Sequence, residues 1–332
     1  MFSSPLNIKT PNNINQPYHP SVIFIEEGFS GYKYWMAESP YPISIKPYRD
    51  RWETPCIHCS NDGKFWHELR DNPIDDLTEL EIECKAYFSD PHLVLKEDCL
   101  ECWYRLTTFN NLGSSRTYIL RKTSRDGIRW STRELLIDLF QSDKAFFFEK
   151  TIISPSIVYL NQTYYMWFVD KSGIEKNRSI RQIYSANGYK WSNSKICLLQ
   201  GKYIDPWHID VQFFDNIYYL LVYELEYNTI TLWISKDGLN FNYNKEVLSP
   251  SHKFGSFYAN GLYRACLVKN KKGFYIYFSC HNNKYSNIGL MFAQSDLNFK
   301  VVDGGTRITM TYKIIKDILK RIYSFIKRHY HN

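Results

Sequence analysis

One short phrase recurs through this chain and limits its fold more than any other feature. It reads "SNDGKFW" from Ser60, "SRDGIRWS" from Ser124, "SANGYKWS" from Ser185, "SKDGLNFN" from Ser235 and, shortened, "SDLNF" from Ser295, at intervals of 64, 61, 50 and 60 residues. Each copy is a polar turn, with Asp-Gly or Asn-Gly at its centre in four of them, followed by an aromatic placed to staple the turn to a neighbouring strand. Runs of β-forming residues accompany every copy, such as "SPSIVYL", "TYYMWFVD" and "RSIRQIYSA" in the third unit. A sheet of three or four antiparallel strands cannot bury both faces alone, so such units must stack around a ring. The expectation is an all-β, five-bladed β-propeller of four-stranded antiparallel blades over residues 1–308, one domain because a closed ring cannot be divided.

The openings of the units repeat in phase with the turns: "YHPSVIFI" at Tyr18, "SDPHLVL" at Ser89, "SPSIVYL" at Ser154, "WHIDVQF" at Trp207 and "LYRACLV" at Leu262. These are the expected innermost strands. With 44% apolar residues, 17% of the chain aromatic, 332 residues are ample for the core of such a ring. The eight cysteines are too sparse for a disulfide scaffold. Cys56/Cys59 and Cys99/Cys102 have zinc-like spacing, but in strand-like text residues three apart face opposite sides, which argues against zinc.

The phrase closing each blade, with "H-P-S" or "D-P" opening it, resembles the five-bladed propellers of glycoside hydrolase families 43, 32 and 117 and their relatives. That resemblance implies a site at the channel mouth, built from two or three carboxylates. In those families an Asp base stands at the first opening, a second Asp comes from the second or third blade, and a Glu acid follows. Here Asp90 stands in "DP" text at the second opening, and Glu224 or Asp210 is the later acid, so Asp90, Asp210 and Glu224 are the candidate catalytic residues. The chain departs from the pattern by having His19 at the first opening and Ser154 at the third.

In antiparallel blades the starts of first strands and the ends of second strands share one rim. The starts supply His19, Asp90, Ser154, His208 with Asp210, and Tyr263 with Arg264. The ends supply Glu38, Arg105, Asp170, Glu224 and His281, and Glu53 opens a third strand. Trp35, Trp52, Trp103, Trp167 and Trp207 add an aromatic rim, although Trp35, Trp103 and Trp167, in mid-strand, also read as core. Carboxylates for hydroxyl pairs, aromatics for ring faces and Arg for acidic groups together suit an oligo- or polysaccharide. The bland alternatives are that His19 only caps a turn and that Asp90 and Asp210 tie neighbouring blades together. Arg264, charged at the start of an inner strand, requires an anion beside it. No cofactor and no metal site is expected; the alternative is a structural divalent cation at the channel mouth, which His208 and Asp210 would hold together with His19 or Asp90.

After Gly305 the turn signals stop. Ile314, Ile315, Ile318, Leu319, Ile322, Phe325 and Ile326 fall on one arc of a helix, with Lys313, Lys316, Lys320, Lys327 and Arg328 outside it. The expectation is a basic amphipathic helix over residues 309–332. It packs on the propeller, or residues 310–332 lie on an anionic membrane surface. This tail carries +5 of the formal charge of +7, and so near-neutral a body argues against nucleic acid. Neither a leader nor a membrane span is legible, which predicts a cytoplasmic protein, peripheral on the inner membrane if the tail docks there. Two functions compete: a hydrolase-like enzyme acting on a bacterial surface polysaccharide or its lipid-linked precursor, and a non-catalytic glycan-binding or assembly module. A glycosyltransferase ranks below both, because no Gly-rich diphosphate loop is present.

Overall fold

A computed structural model of the chain describes residues 3–11, 15–42, 53–109, 115–139, 152–171, 178–251, 253, 256–282 and 285–305. The expected C-terminal helix and Trp52 lie outside these residues. Five antiparallel sheets form the ring. Blade one comprises Pro17–Phe29, Tyr32–Pro40, Cys56–Ser60 and His67–Glu68, and blade two Tyr87–Lys96, Cys99–Phe109, Ser115–Ser124 and Glu134–Asp138. Blade three comprises Ile153–Leu160, Thr163–Asp170, Ser179–Ser185 and Lys195–Ile196. Blade four has Pro206–Phe214, Ile217–Glu224, Thr229–Ser235 and Asn240–Leu248, with Leu198–Gln200 pairing in parallel on its outer edge. Gly261–Asn270, Gly273–Asn282, Tyr285–Ala293 and Lys300–Val302 make blade five. The first strand of each blade packs against the first strands of its two neighbours, so five strands line the axis.

The repeated phrase is explained by its hydrogen bonds. In blade four the Ser235 hydroxyl accepts the Gly238 amide at 2.9 Å, while Asp237 Oδ1 accepts the Leu239 and Asn240 amides at 2.9 and 2.8 Å. Ser60, Ser124 and Ser185 do the same for Gly63, Gly127 and Gly188. Each of these glycines has positive φ, +72° at Gly127, where a side chain would be strained. A Cβ on Gly127 would also lie 2.2 Å from the ring of Trp35 in the preceding blade. Trp103 lies under Gly188 in the same way, and Trp167 donates to the Gly238 carbonyl at 2.8 Å. The mid-strand tryptophans are therefore buried inter-blade staples rather than rim platforms. In blades two and three the tryptophan that closes the phrase clamps its own turn instead: Trp130 Nε1 donates to the Gly127 carbonyl at 3.2 Å and Trp191 Nε1 to the Gly188 carbonyl at 2.9 Å.

The turn carboxylate makes a pH prediction. Backbone amides, opposed by slight burial and joined by the Asn240 side chain, hold the Asp237 carboxyl well below its ordinary 3.8. A depressed carboxylate contributes stability above its unfolded value and loses it as pH falls through the folded one. Blade three uses neutral Asn187 for the same two amide bonds, at 2.9 and 3.0 Å. Asp237→Asn is expected to melt near the parent temperature at about pH 7 and to lose less stability than the parent down to about pH 3. Thermal melts across that range are the check, and parallel losses in both proteins would contradict it.

A second ring of bonds ties the inner strands together. The Ser21 hydroxyl accepts the Leu93 amide at 2.9 Å, and His92 Nε2 meets the Ile157 carbonyl at 3.0 Å. Ser156 accepts the Val211 amide at 2.8 Å, Asp210 Oδ2 the Leu267 amide at 2.9 Å, and the Cys266 sulfur the Val22 amide at 3.3 Å. These five side chains occupy equivalent positions and close the circle. At the other seam the Leu6 amide donates to the Ile288 carbonyl at 2.9 Å, so the segment preceding blade one is joined to blade five.

Candidate functional site

Two residues before each tie stands a residue at the mouth of the channel: His19, Asp90, Ser154, His208 and Arg264. The pairing register slips at every one of these openings. His19, Asp90 and Ser154 take φ near +50°, each followed by proline. Such backbone costs about 1–3 kcal/mol per residue and is held in place by its surroundings. Here the His19 amide donates to Ser279 Oγ at 2.9 Å and the Ser154 amide to Asp90 Oδ2 at 3.3 Å.

Among the described residues, one set of potential cation ligands converges: His19, Asp90 and His208, with donor atoms all within 4.8 Å of one another. All three side chains are buried. His19 Nδ1 is held by Ser39 Oγ at 2.8 Å, which leaves Nε2 as its remaining donor atom. His208 Nδ1 lies 3.3 Å from Asp90 Oδ1, close but off the ideal hydrogen-bond axis, and among the described residues neither ring nitrogen of His208 nor that carboxylate oxygen has another hydrogen-bond partner. Asp90 Oδ2 is engaged by Arg105 Nε at 3.1 Å, and Arg264 Nη1 stands 3.8 Å from Oδ1. The anion that Arg264 requires is thus Asp90.

The electrostatics sort these groups by charge. Burial opposes ionisation of Asp90, but Arg105, His208 and Arg264 outweigh it and hold its carboxyl well below the usual range. Burial lowers His19 well below 6.5 against the pull of Asp90, and it lowers His208 in the same way. Two neutral imidazoles and one carboxylate result, a donor set suited to a divalent transition metal or zinc. Glu53 lies beside them, its carboxylate 3.8 Å from His19 Nδ1 and its side chain 14% exposed. Burial, reinforced by the charge of Asp90 and opposed by Arg105, pushes its carboxyl up to about 8.

An aromatic wall borders the cluster. The Tyr263 ring is 4.1 Å from that of His208 and 5.3 Å from that of Tyr18, and its hydroxyl accepts from Trp207 Nε1 at 2.8 Å. The other rim candidates lie apart from the convergent set. Glu38 is buried against His58 at 3.1 Å, and Asp170 pairs with Arg181 at 2.5 Å. Glu224 faces Lys202 at 3.4 Å. Asp210 occupies the tie position, where burial raises its carboxyl to about 6. Its neutral amide analogue also offers an oxygen to Leu267, so Asp210→Asn is expected to retain catalysis with a stability change of about 1 kcal/mol. Turnover and urea unfolding are the measurements, and loss of activity in a folded variant would return Asp210 to the chemistry. Sequence reasoning missed Ser39, Tyr18 and the tie formed by His92; only the constant offset of two residues from the channel position signals the ties.

No family model matches the sequence. The A type blood N-acetyl-alpha-D-galactosamine deacetylase of Flavonifractor plautii is 24% identical over 93% of this chain, and the chain spans 44% of that protein. The crystal structure of an N-acetylgalactosamine deacetylase from F. plautii, in complex with blood group B trisaccharide, superposes with a TM-score of 0.72 at 18% identity, covering 87% of this chain and 94% of that one. A thermostable family-43 glycoside hydrolase gives 0.62 at 13% identity, with 91% and 96% covered. Xylan beta-1,4-xylosidase from Bacillus halodurans C-125 gives 0.63 at 15%, with 92% and 57% covered. These likenesses show a shared fold, and the resemblance to family 43 is borne out at that level.

Proposed function

We propose that this protein is a carbohydrate-active hydrolase that removes the acetyl group from an N-acetylhexosamine of a glycan, with a divalent cation held by His19, Asp90 and His208. The observation carrying the reading is the convergence of these three buried side chains, His208 having no hydrogen-bond partner among the described residues beyond its close approach to Asp90. The name of the F. plautii relative supports the reaction class. A bound cation would polarise the amide carbonyl and acidify a water.

The chain's own residues supply the rest. Arg105 occupies Asp90 Oδ2, keeps the carboxylate ionised and leaves Oδ1 for the ion. Ser39 fixes the ring of His19 through Nδ1. Glu53, more exposed than Asp90, would be returned to its carboxylate form by the charge of the bound cation, and as carboxylate it takes the proton from the attacking water and delivers it to the departing amine. Tyr263 and Trp207 present ring surface to the sugar and exclude bulk water. A bacterial surface polysaccharide or its lipid-linked precursor is the substrate source we propose.

A second reading, glycoside hydrolysis, draws on a different observation: the carboxyls of Asp90 and Glu53 are pushed in opposite directions, as in a base and acid pair. Against it, Asp90 is fully buried, its Oδ2 is held by Arg105 and the Ser154 amide, and its Oδ1 faces His208, which suits a ligand of an ion better than a base or nucleophile that must meet a sugar carbon or its water directly. Incubation with N-acetylated glycans, including blood group A trisaccharide and capsular and O-chain polysaccharides, separates the two. Acetate release without new reducing ends is expected. New reducing ends without acetate would overturn the deacetylase reading.

A further inference from the structure

We infer that the rim of blade four beside the channel forms a second sugar subsite, for an uncharged ring of an oligosaccharide whose neighbouring ring lies at His19, Asp90 and His208. This rests on the reading above for the first ring and on separate residues for the second. A continuous strip leads outward from the cluster. Tyr263 binds Trp207, and the Arg178 guanidinium stacks 4.5 Å over the Trp207 ring and pairs with Asp205. The Leu225 amide donates to the Asp205 carbonyl at 3.3 Å, which sets Glu224 next in line. Lys202 Nζ then lies 3.4 Å from Glu224 Oε2 and 5.9 Å from the centre of the Tyr227 ring.

Three features of the strip fit a sugar ring. Tyr203 precedes the strand Pro206–Phe214 and Tyr227 follows Ile217–Glu224, whose ends pair at Pro206 and Glu224, and the two are 63% and 60% exposed, so two aromatic side chains stand in solvent at one end of the blade, available to the apolar face of a pyranose. Glu224 is fully buried, yet among the described residues its Oε1 has no hydrogen-bond partner, and neither has Asp205 Oδ1. Buried acceptors without donors are costly, and sugar hydroxyls are donors of the right kind. Lys202 is partly exposed, so a shift of its flexible side chain brings Glu224 to the rim. Charge then selects among glycans. Among the described residues of the strip Lys171, Arg178 and Lys202 are balanced by Asp205, Glu224 and Glu226, which favours a neutral ring over an acidic sugar, a nucleic acid or a lipid headgroup.

The test is calorimetric binding to the full chain, read without turnover, with N-acetylgalactosamine, chitotriose, blood group A and B trisaccharides and a sialylated trisaccharide. The parent is expected to bind a neutral trisaccharide more tightly than the monosaccharide and no less tightly than the sialylated one. The double variant Tyr203→Ala, Tyr227→Ala, exposed at both positions and checked by its melting temperature, is expected to lose about tenfold in trisaccharide affinity with the monosaccharide changed by less than about twofold. Equal loss for both ligands, no loss, preference for the sialylated glycan, or no saturable binding of any trisaccharide by the parent would each overturn the subsite. Absence of acetate release with these binding results intact would overturn only the reaction assigned to the first ring.

Discussion

Replacing Asp90 by alanine is expected to abolish turnover and to destabilise the fold by about 3–5 kcal/mol. Asp90 is the anion beside both Arg105 and Arg264, at 3.1 and 3.8 Å, and Arg264 is fully buried. Without it the buried Arg264 loses the anion beside it, Arg105 keeps the Glu53 carboxyl nearby, and the Ser154 amide loses its acceptor. Asp90→Asn keeps the shape and an acceptor oxygen, so its stability loss is expected to be smaller while turnover is still lost. Urea unfolding and activity of the two variants give the comparison. An alanine variant within about 1 kcal/mol of the parent would show that Asp90 does not carry the charge balance of the channel.

Glu53→Gln is expected to reduce kcat by about 10²–10⁴ with little change in KM, because a proton carrier is removed while the ring contacts remain. The same variant reports on stability. Glu53 has a folded value of about 8 against an ordinary 4.5, so the fold favours its neutral form. Its contribution is fully present below 4.5 and is lost as pH rises through about 8, the opposite sense to Asp237. In the cation-free protein, Glu53→Gln should therefore lose less stability than the parent between these pH values. Equal pH dependence of the two proteins would place the Glu53 carboxyl in solvent and remove the basis for its role.

The ring was legible because its turns have a local chemical requirement. Ser235 and Asp237 accept the backbone amides of Gly238, Leu239 and Asn240 within six residues, and the same need recurs in four blades with almost the same letters. The fifth copy replaces glycine by Leu297, which still adopts φ +56°. The site was legible in part. His19, Asp90, His208, Arg264 and Glu53 were each visible at a strand opening, but which of them meet depends on contacts between blades, such as Arg264 with Asp90. Asp210 shows the limit most clearly. Two apart on a strand, His208 and Asp210 read as one motif, yet one step along the axis separates a channel ligand from an inter-blade tie. The sequence pattern carries the period of the strand and not its depth in the ring.

The amide hydrolysis proposed for this protein depends on a cation at His19, Asp90 and His208. The direct measurement is acetate release from an N-acetylated glycan by the full chain before chelation, after chelation, and after restoring a divalent cation, in parallel with His208→Ala. The account predicts activity that chelation abolishes and the cation restores, with none in the variant under any condition. Undiminished acetate release after complete removal of metal, or full activity of His208→Ala, would contradict it.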